Sequence, residues 1–356
     1  MCGIFLVINK RINLNTTVPI FKKLVNRGPD YNHYQHHKMN NGDEIFLGQT
    51  TLSITGNYDI NNFKLNNYQL LFNGQIYNYQ ELMKESTVYS DEISDTKILL
   101  EYLVQNLTDD YVSLKAIEKV NDDLDGMYAY VLYNETDNLL YLVRDIQGEK
   151  NLYYYNQNGI LVISSEMSLI VDYLKTIGIN TELEKEELKK YLLSRHHMYR
   201  KKTIHQNIYQ LEPGETIIYN TYTRQIINSS VRGLDTLIDI NLYHKYSNMT
   251  FKEHITEFDN LFQQLAHNMI PEHCEYACVV SGGIDSSLST YYFMQTKKQP
   301  KYLIATNCIG KDKISDDLSV HEEALNKDII TIPVTADDYG NEISICQSVY
   351  NGPVPT

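Results

Sequence analysis

Cys2 stands directly behind the initiating methionine, in Met1-Cys2-Gly3-Ile4-Phe5. Removal of Met1 would leave one residue with both a thiol, of pKa about 8.5, and a free α-amine, of about 7.7–8. Near neutral pH that amine can take the thiol proton, so the residue carries a nucleophile and its base together. Gly3 lets a substrate pass close to the backbone with no Cβ in the way. The competing reading is a buried thiol at the start of a core strand, because cysteine is among the most buried residue types.

A second cluster, Ser281-Gly282-Gly283-Ile284-Asp285-Ser286-Ser287, follows the apolar run Ala277–Val280 and leads into helical spacing over Ser286–Gln295. A Gly-rich turn between a strand and a helix can point backbone N–H groups at an anion, and the helix dipole adds to them. Ser281, Ser286 and Ser287 supply hydroxyls, and Asp285 can hold Mg²⁺ that bridges phosphate oxygens. No Gly-Lys-Ser/Thr follows, so the loop is not of the Walker A kind.

The elements that must position these groups differ between the two halves. Residues 2–8 read as a buried strand, and Leu14–Val25 has helical spacing that stops at the turn Arg27-Gly28-Pro29-Asp30. Strand-like segments recur at Glu44–Leu47, Gln69–Phe72, Met127–Tyr133, Leu139–Val143, Leu152–Tyr155 and Ile160–Ser164, separated by Asn, Gly and Asp. That spacing predicts antiparallel ladders. Helices are expected at Tyr79–Lys84, at Asp95–Gln105 with Asp95 as cap or first-turn residue, and at Glu182–Leu193. The pattern weakens over 221–248, the expected linker between a first domain at 2–220 and a second at 249–356. Beyond it comes the amphipathic helix Phe251–Asn268; the strand Ala277–Val280, the turn Ser281–Asp285, the helix Ser286–Gln295 and the strand Lys301–Thr306 then make a β-loop-α-β unit, the mark of a parallel sheet covered by helices.

The Ser281–Ser287 loop resembles the pyrophosphate loop of the ATP pyrophosphatases, and its pairing with Cys2 is similar to the glutamine-dependent asparagine synthetases. Motifs agree in order along the first half: Arg27-Gly28-Pro29-Asp30 with RGPD, Asn73-Gly74-Gln75-Ile76-Tyr77-Asn78 with NGEIYN, and Ser94-Asp95-Thr96 with an SD segment. Leu124-Asp125-Gly126-Met127-Tyr128-Ala129 is similar to LDGMFAF; Arg144-Asp145 with Gly148, Lys150, Leu152, Tyr153 and Tyr154 is similar to RDxxGxKPLYY. Ser165-Glu166 and Pro213-Gly214 match two shorter segments.

This resemblance implies a four-layer α+β N-terminal-nucleophile amidotransferase domain followed by a partial doubly wound α/β domain. Cys2 would attack the side-chain amide of glutamine. Asn73 and Gly74 would form the oxyanion hole, and Asp95 would pair with the α-ammonium. Thr51, Leu52, Ser53 and Gln75 complete the implied glutamine site. Val280, Ser281, Gly282, Gly283, Asp285, Ser286, Ser287 and Thr306 form the implied ATP site, with Asp285 on Mg²⁺. Aspartate, activated by ATP, would accept the ammonia and become asparagine.

Three departures stand beside the match. Where the family has an arginine on the glutamine carboxylate, this chain has Thr51, which supplies no charged fork. Gln75 replaces a glutamate. After Thr306 the resemblance thins: Asp316-Asp317-Leu318 is similar to a family segment, but the chain stops at Thr356 before the family's second acidic ATP loop, so an incomplete second domain is expected. Two other readings stay open on these grounds: a catalytically impaired or silent glutamine- and ATP-binding relative, and an amidotransferase acting on another acceptor.

Composition bounds the partners. At 356 residues and 42% hydrophobic the chain can build two cores, and a net charge of −14 argues against a nucleic-acid surface. Cys2, Cys274, Cys278, Cys308 and Cys346 form no CxxC pair, which disfavours disulfides and structural zinc. Cys274 and Cys278 read as core thiols, and Lys297-Lys298 as a solvated helix end. His36-His37 and His196-His197 lack a third ligand at suitable spacing. No apolar run approaches a membrane span. A cytoplasmic protein with small-molecule substrates is expected, with a homodimer left open.

Overall fold

A computed structural model describes residues 2–56, 58–85, 94–107, 114–194, 201–271, 273–309, 322–323, 325 and 327–335. The chain divides into two compact units, the first running to Leu237 and the second starting at Ile238. The division falls inside the expected linker.

Twelve strands form the first unit's two sheets: β1 (Gly3–Asn9), β2 (Tyr31–Lys38), β3 (Glu44–Thr51), β4 (Lys64–Leu65), β5 (Tyr68–Ile76), β6 (Gly126–Asn134), β7 (Leu139–Arg144), β8 (Tyr153–Gln157), β9 (Ile160–Ser164), β10 (Ile208–Gln210), β11 (Glu215–Asn220) and β12 (Gln225–Val231). One six-stranded sheet runs β10-β8-β9-β1-β3-β2 and the other β12-β11-β7-β6-β5-β4, with every pairing antiparallel.

Strand β1 shows why the N-terminus reads as an unbroken apolar run. Ile4, Leu6 and Ile8 face the core between the sheets, while Phe5 and Val7 face the core under α1 (Leu14–Phe21) and α5 (Met167–Thr176). A strand buried on both faces has no polar side to alternate with. On the outer face of the second sheet a third core packs α2 (Tyr79–Glu85), α3 (Asp95–Asn106) and α4 (Leu114–Asp123) against Phe72, Tyr130 and Tyr141. The layers are therefore helix, sheet, sheet, helix, as expected. Helix α6 (Lys185–Ser194) completes the unit's helices among the described residues.

Some elements depart from the sequence expectation. The expected helix 14–25 is α-helical only to Phe21 and continues as a 3₁₀ turn over Lys22–Asn26. Strand β2, Tyr-Asn-His-Tyr-Gln-His-His-Lys, has no apolar alternation because it is a sheet edge with mostly half-buried side chains. Strand β12 lies within the expected linker; its side chains are nearly all exposed, so burial left no pattern there.

A side chain ties the two sheets together where β1, β3 and β5 meet. Strand β4 pairs with β5 only at Tyr68 and Gln69, leaving the edge of β5 uncovered at Phe72. The buried Gln49 amide takes that place: its Nε2 donates to Phe72 O at 2.8 Å, and its Oε1 accepts from Phe72 N at 2.9 Å. It acts as one missing residue of a strand.

The second unit holds α7 (Ile240–Ser247), α8 (Phe251–Met269), β13 (Ala277–Val279), α9 (Ile284–Met294), β14 (Tyr302–Ile309) and β15 (Ile329–Thr335). Its three strands pair in parallel, in the order β13-β14-β15. Helix α8 starts at a capping box in which Thr250 accepts from Glu253 N and Glu253 reaches back to Thr250 N. Strand β13 is less buried than expected: Val280 is fully enclosed but Val279 is 65% exposed, because β13 is a sheet edge. Lys298 is not a free surface charge, since its Nζ donates to Pro271 O and Cys274 O, both at 2.7 Å. Cys274 and Cys278 are half-buried rather than fully enclosed.

Replacing Gln49 by Leu keeps the volume but leaves both Phe72 backbone groups buried and unpaired. At roughly 1–3 kcal/mol per orphaned group, the variant should lose about 2–5 kcal/mol. A lower denaturant midpoint at unchanged m-value is the expected reading; an unchanged midpoint would remove Gln49 as the tie between the sheets.

Candidate active site

Cys2 enters the first unit just ahead of β1 and is 7% exposed. Its carbonyl accepts from Arg27 Nε at 3.0 Å, and Arg27 Nη1 pairs with Glu166 at 3.1 Å. The next turn of chain is fixed by Ser165, whose Oγ accepts from Ile4 N at 3.0 Å while its own N–H donates to Ile4 O at 3.0 Å. A Cβ on Gly3 would meet Thr50 Oγ1 at 2.7 Å and the Leu24 side chain at 3.1 Å, so glycine is required here by close approach of β3 and the 3₁₀ turn. RGPD and Ser165-Glu166 are thus the clamp that holds the backbone at Cys2 and Ile4.

Burial pushes the Cys2 thiol above its ordinary value, and Asp95 adds to that. The Leu52 backbone N–H, which donates to the sulfur, and the Arg27 charge act the other way. The net effect is a neutral thiol near pH 7, which must lose its proton to a base in order to attack.

Leu52 stands at the end of β3, where the chain is held by Asp30. Asp30 N donates to Thr51 O at 3.1 Å, and Asp30 Oδ2 accepts from Ser53 N at 2.8 Å. Thr51, Leu52 and Ser53 therefore reach the Cys2 end of the fold. Thr51 is buried, with no charge to offer a carboxylate.

Asn73 and Gly74 lie near the end of β5, opposite Ala129 and Tyr128 of β6. A Cβ at Gly74 would fall 2.3 Å from Met127 O, so only glycine lets β5 and β6 approach this closely. Asn73 is 1% exposed, and neither Nδ2 nor Oδ1 has a hydrogen-bond partner among the described residues. A buried amide left unpaired is costly and rare in a native fold. Gln75, next along the strand, is half-buried.

Asp95 is the first residue of α3, after the N-cap Ser94, whose Oγ accepts from Lys97 N at 3.2 Å. Its carboxylate is buried. Oδ1 accepts from Thr96 N at 2.8 Å and from the Tyr58 hydroxyl at 3.0 Å; Oδ2 accepts from Ile76 N at 3.1 Å. Burial nevertheless outweighs these donors and raises its pKa to about 6. The rise of about two units from the ordinary carboxyl means that folding with this group ionised costs roughly 3 kcal/mol above pH 6. The site is held at the expense of stability.

The motif around Arg144 and Asp145 is structural. Arg144 donates to the carbonyls of Lys150, Leu211 and Gly148 and to Asn151 Oδ1, while Asp145 accepts from Tyr128, Glu149 and Lys150 N–H. Together they fix the 145–152 turn beside Tyr128, the partner of Gly74. Tyr58 and Gln49 carried no readable signal: Tyr58 sits in an aperiodic Asn/Asp-rich stretch, and Gln49 sits in an otherwise ordinary strand.

In the second unit the nucleotide loop keeps the expected strand-to-helix setting. Gly282 has φ +77°, and α9 begins after Gly283 with Asp285 in its first turn and no side-chain cap. Ser281 Oγ and Ser286 Oγ lie 3.0 Å apart, and Ser287 Oγ donates to Gly283 O at 2.8 Å. Among the described residues no group of three or more His, Cys, Asp or Glu is placed to hold a metal ion. His36 pairs with Glu44 at 3.2 Å. Thr306 lies on β14; its side chain, His196, His197, Asp316, Asp317 and Cys346 fall outside the described residues. Also among the described residues, no helix is long and apolar enough to cross a membrane.

Comparison with known proteins agrees with this geometry. The chain is 25% identical to a probable glutamine-hydrolysing asparagine synthetase of Acanthamoeba polyphaga mimivirus, over 81% of this chain and 48% of that one. It is 27% identical to asparagine synthetase 1 of Bacillus subtilis over 96% of this chain and 52% of the other. For the Gallus gallus asparagine synthetase the identity is 22%, over 91% and 54%. The chain thus spans about half the length of the curated relatives it matches. A glutamine amidotransferase domain profile matches residues 1–229, the two-sheet unit that carries Cys2, Asn73 and Asp95, and the chain belongs to that family.

Proposed function

We propose that the first unit hydrolyses glutamine at Cys2 and that the ammonia serves an ATP-dependent amidation of aspartate to asparagine. The observation that carries this reading is Asn73: a fully buried side-chain amide with no partner, next to a glycine forced by close packing, in the same unit as a buried N-terminal thiol. An oxyanion hole needs a donor already fixed before charge develops.

With Met1 removed, the α-amine of Cys2 takes the thiol proton and the sulfur attacks the side-chain carbonyl carbon of glutamine. The developing oxyanion is met by Asn73 Nδ2 and the Gly74 N–H. Collapse of the tetrahedral intermediate breaks the C–N bond, the amine returns its proton to the leaving nitrogen, and ammonia departs. Water, activated by the same amine, then cleaves the thioester and releases glutamate. Asp95 holds the substrate α-ammonium during both steps.

In the second unit the Ser281–Ser287 loop would bind the phosphates of ATP through the N–H groups at the start of α9 and its serine hydroxyls. Asp285 would hold Mg²⁺ together with phosphate oxygens. The ion would neutralise charge on the leaving pyrophosphate as the aspartate carboxylate is adenylated. The open first turn and uncapped helix start fit a phosphate. The curated relatives share the name asparagine synthetase, and aspartate as acceptor rests on that likeness.

Cys2→Ala should abolish glutamate release from glutamine, and Asn73→Ala should lower kcat by about 10²–10³-fold, the cost of one oxyanion donor. A Cys2→Ala protein as active as the parent would sink the proposal.

The pH dependence follows from Asp95. Its carboxyl is ionised above about pH 6 and protonated below it, so the ammonium partner is lost as pH falls. The kcat/KM for glutamine, which reports the free protein, should fall on the acid side first with the α-amine, at about 7.7–8, and then more steeply through about pH 6 as Asp95 is protonated. Millimolar ATP with Mg²⁺ should move the amide signals of 281–287; signals that stay in place would refute the nucleotide site while leaving the glutaminase intact.

A further inference from the structure

Asp95 is held on one side by a loop that none of the recognised motifs includes. Asp59 caps a short 3₁₀ turn over Ile60–Asn62: its side chain accepts from Asn61 N at 2.7 Å, and its own N–H donates to Asn62 Oδ1 at 2.9 Å. Asn62 Nδ2 then donates to Ser94 Oγ, the N-cap of α3, and Lys97 Nζ of α3 donates to Asn61 O at 3.0 Å. The loop and the helix start are therefore one assembly. Tyr58 leads into that turn, its ring stacked on Phe63 at 6.1 Å and Phe63 stacked on Tyr31 at 6.0 Å. The phenol is delivered to Asp95 Oδ1 by a rigid support.

Resting on the glutaminase reading, we propose that Tyr58 is a positioning residue of the glutamine site: its hydroxyl bond to Oδ1 keeps the Asp95 carboxylate charged and turns Oδ2 to the substrate α-ammonium. A carboxylate offers about four acceptor positions. Oδ1 is filled by Thr96 N and Tyr58, whereas Oδ2 accepts only Ile76 N among the described residues. One acceptor position on Oδ2 thus remains for an ammonium. The titratable groups that act on Asp95 are Tyr58 from this loop and Cys2 from the start of β1; Lys97 is turned to Asn61 O and Glu101, and Asp59 is engaged in its own turn. Burial drives the Tyr58 hydroxyl far above its ordinary value, so it stays protonated and can only donate to the carboxylate.

The decisive variant is Tyr58→Phe, which keeps the ring on Phe63 and removes only the donor. A hydrogen bond to a charged group contributes enough to move a carboxyl by about one to two units. In the variant-to-parent ratio of kcat/KM for glutamine the shared α-amine ionisation cancels, and that ratio should show the Asp95 limb moved from about pH 6 to about 7–8. At pH 7 the variant should show kcat/KM reduced roughly twofold to tenfold, carried by KM with kcat unchanged, and should match the parent at pH 9. A limb left in place, or a loss equal at every pH, overturns the proposal. A KM lowered at all pH values overturns it too, since the phenol would then be a plug in the pocket. The titration of the Asp95 carboxyl carbon, assigned by its loss in Asp95→Asn, gives the same shift without turnover. A protein with no glutaminase activity thus still decides the Tyr58 contact, while an active one with an unmoved carboxyl sinks this proposal alone.

Discussion

The first unit depends on one buried amide pair. Gln49 is two residues before the end of β3, and Phe72 directly precedes Asn73. The two hydrogen bonds between them fix the offset of one sheet against the other at the point where both strands turn into functional segments. On the β3 side that offset places Leu52 N–H on the Cys2 sulfur; on the β5 side it places the Asn73 amide and Gly74 N–H. Two apolar sheets can slide over each other at small cost, because hydrophobic contact is not directional. A bidentate amide bond is directional, and it is located where sliding would separate Cys2 from Asn73 and Gly74.

The electrostatics of the site follow from how little of it is wet. Burial raises both Cys2 and Asp95, so each resists the charged form its chemistry needs. The fold answers with donors: Leu52 N–H to the thiol, and Ile76 N–H, Thr96 N–H and the Tyr58 hydroxyl to the carboxylate. Arg27 is engaged with Cys2 O and Glu166. Thr51 brings no charged fork to the 51–53 segment, whereas the buried Asp95 carboxylate is braced from three residues, Tyr58, Ile76 and Thr96.

The sequence made the layers readable because apolar periodicity survives wherever a strand has two different faces or none exposed. β1, β5, β6 and β7 were legible on that ground, as were α3, α8 and α9. Strands β2 and β12 were not, since an edge strand with half-exposed polar side chains looks like a loop. At the site, Cys2, Asn73, Gly74 and Asp95 stood out through motifs whose residue types are chemically distinctive. Gln49 and Tyr58 could not, because their roles are set by contacts 23 and 37 residues away in the chain. Arg144 and Asp145 carried a motif signal as well, and in the fold they frame a turn.

Physical differences between the two Gly-containing segments explain why they carry different weight. Gly74 is forced by Met127 O, 2.3 Å from where a Cβ would stand, and its neighbour Asn73 is buried with no side-chain hydrogen-bond partner among the described residues. Such a site is incomplete until something supplies an oxygen to that amide. A Cβ built on Gly283 would meet only Ser281 Oγ, at 3.5 Å, among the described residues, and the loop's hydroxyls already bond to one another and to Gly283 O. That loop is exposed and satisfied as it stands, so a phosphate there would replace weak internal bonds rather than fill a void.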